Sequence, residues 1–412
     1  MGHDQTHPVL SNLPQAGTIG AGELVPLAAA WAWLDALPAP ATAETLPVDA
    51  AHGRVSAEDM TVFSAVPGPL RATVNGYAVR AAACVGASAY TPLLLALLPP
   101  GTKVLTEAAS CPVASGWALP TGADAVLPLD AAQPDGGRWL EVLDAVPRGA
   151  GVENPSPTVH LPAGRCLRPQ DLGCLAAAGI GSVAVLRRPR VALLVYGAKS
   201  GPDMLTPMLH ALLQRDGAAV TVIPLPGMEP ATGMGALAGP VMAGCDLALL
   251  AGRAGAGIDD VAPAHVHAAG GSMALHGLAL RPGGSTGLAS LPRGGSTLPV
   301  LLLPGDPVSC LTAYDLVAAR VVRRFAGLTP ALPYPVADFP LARKIVSGLG
   351  SMDFVSVRLV GGQAEQIAGD AGLAAAALAD GFVLVAEGSE GYPPGARVPV
   401  HLYGSTMQSI MP

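Results

Sequence analysis

Three short segments combine glycine, charge and a position just after an apolar run: Tyr196-Gly197-Ala198-Lys199, residues 251–260 (AGRAGAGIDD) and residues 304–309 (PGDPVS). Gly252, Gly255 and Gly257 permit the tight backbone whose successive N–H groups line anion-binding nests, and Arg253 adds a cation. Asp259 and Asp260 follow where a helix is expected to open, a position at which Asp commonly caps. In the third segment Asp306 suits an N-cap and Pro307 a first helical position, with Gly305 before them and Ser309 just inside. The positive end of that helix then faces whatever binds above it, which suits a phosphate. Nucleophilic chemistry is not indicated, because Ser200 and Ser309 lack a GxSxG frame. His265 and His267 stand two apart on an expected helix and point to different faces, so they read as surface or cap residues rather than a metal pair.

These segments need a frame that brings them together. Residues 298–303 form a continuous apolar run of strand length, and Val308, Leu311, Leu316 and Val317 then approximate a helical stripe. Upstream, the pattern predicts strand 191–195, helix 204–215, strand 219–225, strand 246–250, a helix over about 261–269 and strand 273–280. Strands alternating with helices imply a mostly parallel sheet covered on both faces, with ligands beyond the carboxyl ends of its strands. All three loops follow strands and should meet at that edge.

The remainder predicts further domains. Residues 24–37 have the composition of a helix, and 46–62 are helical or turn-rich. Residues 61–144 read as short strands between Pro and Gly turns, and residues 170–178 as a short helix ended by Gly179. Arg187, Arg188 and Arg190 around Pro189 mark a boundary, residues 328–335 form a Pro-rich linker, and residues 336–412 alternate like a small β-domain. The expected division is a discontinuous mixed α/β domain (22–60 with 145–186), an inserted β-rich domain (61–144), an α/β domain (187–328) and a C-terminal β-domain (329–412).

Composition agrees with a multidomain α/β protein: 412 residues, half of them hydrophobic and 13% charged, with 51 Gly and 41 Pro spread along the chain. A net charge of −7 without any Lys/Arg run argues against nucleic acid or an anionic membrane as partner. The apolar runs are too short to cross a bilayer, and the N-terminus lacks the basic start and apolar core of a secretory signal, so the cytoplasm is expected. The six cysteines show no ligand spacing and read as buried, reduced thiols.

Residues 51–82 (AHGRVSAEDMTVFSAVPGPLRATVNGYAVRAA), 122–126 (GADAV), 161–180 (LPAGRCLRPQDLGCLAAAGI), 188–194 and the PGDPVS turn follow one another in an order that resembles the molybdopterin molybdenumtransferase family, MoeA and the E domain of gephyrin. The resemblance runs from about Val25 to Tyr403. It implies a MoeA-like homodimer of four-domain subunits, the α/β domain binding molybdopterin near the dimer cleft. Family members hydrolyse adenylyl-molybdopterin and insert molybdate into its dithiolene.

Scaffold positions match this family: Gly53, Gly76, Tyr77, Gly122, Pro169, Gly173, Gly179, Gly305 and Pro307. Gly76 and Tyr77 read as a turn and a core aromatic. The chemical positions depart from it. The aspartate of the MDG motif is Asn75, the threonine of TGA is Ser115, and Asn154 follows Glu153 in a shortened GED segment. GDE has become Gly197-Ala198-Lys199, and SGGVS reads Ala251, Gly252, Arg253, Ala254, Gly255, although the later aspartate persists as Asp260. The lysine of PGKP is Gly284 with Arg281 kept before it, and PGNP has become PGDP with Asp306. Ser351 stands where an arginine precedes the EF pair, here Asp353-Phe354, and Ala371 replaces the serine of the GSG turn.

Asn75, Asn154 and Ala198 remove three negative charges, and Mg²⁺ depends on such carboxylates together with substrate phosphates. Losing one transition-state electrostatic group commonly costs a hundredfold in rate, about 3 kcal/mol. The resemblance therefore implies a phosphate or pterin pocket at Gly252, Arg253, Gly255, Gly257, Arg281, Gly305, Pro307 and Ser309, with Ser115 from the TGA-like segment. Asp260, Asn75 and Asp306 hold the altered catalytic positions, and no metal ligands are assigned. The leading expectation is a diverged paralogue that binds molybdopterin or finished molybdenum cofactor and passes it to a molybdoenzyme or another cofactor-biosynthesis protein. The alternatives are an active molybdenumtransferase with ligands rebuilt by Asp306 and Lys199, and a non-catalytic scaffold.

Overall fold

A computed structural model describes residues 24–40, 42–62, 69–153, 159–197, 202–225, 230–367 and 372–404. They fall into two compact units, Thr45–Val185 and a second made of Met1–Glu44 with Leu186–Pro412.

The second unit holds the alternating region. Its elements are α1 (Leu27–Ala36), β1 (Arg190–Tyr196), α2 (Leu205–Arg215), β2 (Ala219–Leu225), α3 (Pro230–Leu237), β3 (Leu247–Ala251), α4 (Ala262–Ala268), β4 (Ser272–His276), β5 (Gly287–Arg293), β6 (Ser296–Leu303), α5 (Pro307–Ala313) and α6 (Ala319–Phe325). The sheet runs β2-β1-β3-β6-β5-β4, parallel from β2 to β6 and antiparallel beyond. All five residues of β3 are buried, as a strand covered on both faces requires.

Two differences from the sequence pattern matter. β5 was not expected: GLASLPR carries a proline and no long apolar run, and it becomes a strand by pairing with β6 along seven residues. The expected strand 273–280 ends at His276, where Gly277 turns left-handed (φ +85°). Leu280–Arg281 then joins a different sheet, pairing with Met352 and Asp353.

That other sheet runs Leu280–Arg281, Met352–Val360, Gly381–Val385, Arg397–Leu402, Val336–Pro340, with Gln363–Gln366 added beside Met352–Val360. The helix Gly372–Leu378 lies within the segment expected to be purely β. Phe354 and Phe382 stack at 4.1 Å and share one apolar core with α1, the β1/β3/β6 strands and α5–α6. Between α5 and α6, Tyr314–Ala318 forms one π-helical turn. The helical stripe read from Val308, Leu311, Leu316 and Val317 is only partly right. Val308 and Leu311 are half-buried, whereas Cys310, Ala313, Tyr314, Val317 and Val321 are fully buried, so the helix is enclosed on nearly all sides.

The Thr45–Val185 unit contains a six-stranded sheet ordered Ala125–Pro128, Gly76–Val79, Ala109–Val113, Leu93–Leu97, Trp139–Val142, Ala132–Asp135. Gly76 sits inside a strand, not a turn; a Cβ there would lie 2.1 Å from the Leu127 carbonyl oxygen. A second, smaller core gathers Val48, Leu161, Leu167, Leu175, Val183 and Val185 around the helix Pro169–Ala177. Cys84, Cys111, Cys245 and Cys310 are buried, but Cys166 is exposed and Cys174 half-exposed, against expectation. Among the described residues, no helix is long and apolar enough to cross a membrane.

Asp216, fully buried at the end of α2, accepts from Arg215 (2.7 Å), Arg323 (3.0 Å) and Tyr314 (3.0 Å). Arg215 also reaches Asp315 at 2.9 Å, and Tyr334 donates to Asp315 at 2.9 Å. Burial works against the Arg215 charge, but Asp216 and Asp315 hold it firmly protonated. Asp216→Asn leaves the buried Arg323 and the partly exposed Arg215 under-compensated and should cost about 3 kcal/mol in urea unfolding. A loss below about 1 kcal/mol, the scale of an exposed pair, would show the network to be dispensable.

Candidate functional site

Because β1, β3 and β6 are adjacent and parallel, the loops leaving them emerge side by side at the carboxyl edge of the sheet. They enclose a cleft of about 510 Å³ whose walls include Tyr196, Gly197, Asp203, Gly252, Arg253, Gly255, Asp260, Ser285, Gly305, Asp306 and Pro307.

The loop after β3 is shaped by two backbone turns and one carboxylate. Gly252 has φ +94°, and Arg253, at φ +52°, is the one non-glycine residue with positive φ among those described. Such a residue carries strain on the order of 1–3 kcal/mol, which persists where the surroundings over-determine it. The Ala262 N–H holds Arg253 directly by donating to its carbonyl at 3.1 Å, and further along the loop Asp260 Oδ2 accepts from the Gly257 N–H at 2.8 Å. Asp260 does not cap the following helix, as the sequence suggested. The N-cap of α4 is Val261, without a side-chain cap.

The loop after β6 does what its residues imply, with one consequence for anion binding. Asp306 Oδ2 accepts from the Ser309 N–H (2.8 Å) and from Ser309 Oγ (2.7 Å), and Pro307 brings no N–H. The helix end thus carries its own negative charge, so it attracts a phosphate less than the bare junction would. Asp203 does the same for α2, accepting from Leu205 N–H at 3.0 Å and Thr206 N–H at 3.1 Å. Burial opposes its charge, yet the bonds from Thr206 and Leu205 prevail and hold its carboxyl below the usual range.

The expected site residues therefore separate. Gly252, Arg253, Gly255, Asp260, Gly305, Asp306 and Pro307 line the cleft, while Gly257 and Ser309 brace it from behind. Arg281 is elsewhere: it pairs with Asp353 through Nε (2.8 Å) and Nη2 (3.1 Å), bonds the Gly348 carbonyl, and lines a second cavity of about 400 Å³ with Pro282, Val308 and Phe354. The change of sheet at Gly277 carries it there. Asp306 borders both cavities. Asn75 and Ser115 belong to the Thr45–Val185 unit, where Asn75 Oδ1 accepts from Ser115 N–H at 2.9 Å and Ser115 Oγ donates to the Thr73 carbonyl at 3.0 Å. Ala198, Lys199, Ser200, Asn154 and Ala371 lie outside the described residues.

Sequence reasoning missed Asp203 and Ser285, and it named Tyr196 only as the start of the first loop. Asp203 carried a signal, an Asp two residues ahead of a helix. It also misplaced His265, which is fully buried and bonded to Tyr196 Oη at 2.7 Å.

Residues 25–179 match the family model described as the MoeA N-terminal region (domain I and II), residues 192–324 that of a probable molybdopterin binding domain, and residues 338–403 that of the MoeA C-terminal region (domain IV). The chain belongs to the MoeA family. Molybdopterin molybdenumtransferase 2 of Mycobacterium tuberculosis is 28% identical over 339 residues, covering 75% of this chain and 82% of that one. The molybdopterin molybdenumtransferase of Bacillus subtilis is 24% identical over 386 residues, covering 86% and 88%. The solved molybdopterin biosynthesis MoeA protein of Pyrococcus horikoshii matches with a TM-score of 0.71 at 25% identity, over 92% of this chain and all of its own. MoeA membership places the chain in molybdenum-cofactor biosynthesis.

A MoeA family member raises the question of Mg²⁺. Among the described residues, no three His, Cys, Asp or Glu side chains converge as a metal site. The cleft carboxylates Asp203, Asp260 and Asp306 each have an oxygen committed to a backbone N–H. Among the described residues these three carboxylates, so committed, do not form a protein-built Mg²⁺ site.

The loop geometry makes a specific demand on Gly255, where a Cβ would lie 2.5 Å from Asp260 Oδ2; at Gly257 it would lie at 3.0 Å. Gly255→Ala should displace the carboxylate, release the Gly257 amide and cost about 1–3 kcal/mol, with Gly257→Ala milder. Hydrogen exchange at the Gly257 amide checks this, and an unchanged protection factor in Gly255→Ala would refute it.

Proposed function

We propose that this chain binds molybdopterin or the finished molybdenum cofactor through its phosphate, in the cleft over β1, β3 and β6, and handles it as a diverged MoeA paralogue with weak or no molybdenum insertion. The observation that carries the reading is the cleft itself: a strained Arg253 held between glycine turns, beside carboxylates occupied as backbone caps. A phosphate gains from Arg253 and the neighbouring N–H groups, because hydrogen bonds involving charged partners are the strong ones. The substitutions at Asn75, Asn154 and Ala198 support the loss of insertion chemistry, since each removes an acid that the family pattern carries. The relatives named molybdopterin molybdenumtransferase 1 and 2 in Mycobacterium tuberculosis support the idea that two family members can serve one organism. With this reading go a homodimer, a molybdoenzyme or cofactor-biosynthesis partner, a cytoplasmic location, and the four-part division expected from sequence, amended in that Leu27–Ala36 groups with Leu186–Pro412.

A second reading, an active molybdenumtransferase, is favoured by one feature. Asp203 adds a carboxylate to the cleft beyond those retained in the motifs, so part of the lost charge is rebuilt.

The two separate in one assay. Purified protein should bind molybdopterin, and AMP release from adenylyl-molybdopterin in the presence of Mg²⁺ should run at least about a hundredfold slower than in an active relative. Release at the relative's rate would establish the second reading. Arg253→Ala should weaken molybdopterin binding by tenfold or more, the scale of about 1.5–3 kcal/mol for a hydrogen bond to a charged group. An unchanged Kd, or no binding by the unaltered protein, would overturn the site and leave a scaffold.

A further inference from the structure

We propose that Tyr196 and His265 are a positioning pair that fixes the Gly252–Arg253 corner over the cleft and thereby sets its affinity for a phosphate group, an inference that rests on the phosphate reading of that cleft. Tyr196 is the last residue of β1 and His265 lies on α4, and their exposures are 3% and 0%. The hydroxyl and Nδ1 are 2.7 Å apart, with the rings 5.6 Å between centroids. Burial pushes the Tyr196 hydroxyl well above its ordinary range, against the pull of the Arg253 charge, so the phenol keeps its proton, and it shares a hydrogen bond with the imidazole whose direction follows the His265 tautomer.

The pair is wedged from both sides. On the cleft side Gly252 is a neighbour of the phenol, since a Cβ placed there would meet the Tyr196 Cβ at 3.4 Å and its Cδ2 at 3.9 Å. On the helix side, a Cβ on Gly233 of α3 would stand 2.0 Å from His265 Nδ1, so only glycine leaves space for the imidazole there. Cohesion alone does not call for these two residues. A buried phenylalanine and leucine would fill similar space, and replacing both partners of a buried hydrogen bond by apolar groups of like shape can be nearly neutral. The hydrogen bond adds orientation: it fixes the far end of the ring beside which the left-handed Gly252 turn begins.

The test uses three variants of the full chain: Tyr196→Phe, His265→Leu and the double variant. Three readouts are taken: thermal melting, hydrogen exchange at residues 252–257, and binding of pyrophosphate and AMP. The single variants should melt lower, exchange faster in the loop and bind pyrophosphate about tenfold more weakly, the usual scale for removing a supporting partner behind a binding group. The double variant should regain melting temperature but neither loop protection nor affinity. Affinity returning together with melting temperature would make the pair merely structural and overturn the proposal, as would unchanged loop exchange in all three. If the unaltered protein bound neither pyrophosphate nor AMP, the phosphate reading of the cleft would itself be overturned, whatever the exchange pattern.

Discussion

The cleft depends on one closed ring of backbone and carboxylate: Asp260 reaching back to the Gly257 N–H across a loop that starts with two left-handed residues. That bond acts with three others along the six residues from Gly252 to Gly257, Gly252 N–H to the Leu303 carbonyl (2.9 Å), Ala262 N–H to the Arg253 carbonyl (3.1 Å) and His276 Nε2 to the Ala254 carbonyl (2.7 Å), in a stretch whose glycines have the most conformational freedom to lose. With these bonds, Arg253 is carried to the cleft in a conformation that it would not choose by itself. The glycines are therefore required as much by the space the Asp260 carboxylate occupies as by any ligand.

A second constraint operates beneath the first. Three loops can share a cleft only if their strands stay in register, and β1, β3 and β6 are pinned by continuous parallel pairing and by a large apolar core. The largest polar group buried there, the Asp216–Arg215–Asp315 network with Tyr314, Arg323 and Tyr334, lies at the far end of α2 and along the π-helical turn, apart from the buried Tyr196–His265 pair. Buried charges of this kind seldom add much net stability over apolar packing, but each must find its partner, and this selects one arrangement of α2 against the helix that follows β6. Tyr334 extends the same network to the aromatic group of Phe382 and Tyr403 in the C-terminal sheet.

Where sequence and structure agree, the physics is local. The apolar run of β6, the Asp306 cap and the alternation that makes the sheet parallel are decided within a few residues, and β2 spans the residues that its pattern indicates. Where they part, a distant partner decides. β5 is a strand because β6 lies beside it, Arg281 leaves the cleft because Gly277 sends the chain into another sheet, and His265 is buried because Tyr196 waits 69 residues earlier. Asp260 differs again: at a helix start, capping is the ordinary expectation, but the preceding glycines offered its carboxylate a closer donor. The candidate site was thus legible as three loops at one sheet edge, and illegible in which of their charges face the cleft.

The electrostatics of the cleft bear most directly on function. Asp203, Asp260 and Asp306 all border it, against one described cation, Arg253. Three bare carboxylates would repel a phosphate, and the same three gathered tightly would hold a divalent cation. Neither limit applies, because each carboxylate accepts from a backbone N–H within its own turn, which offsets part of its field and fixes its direction. These acids therefore act first on the shape of the loops, and under the proposed phosphate reading the affinity for an anion falls to Arg253 and the glycine backbone. Under that reading the cleft can hold a phosphate-bearing cargo and let it go, because the grip rests on one strained arginine and the loop backbone.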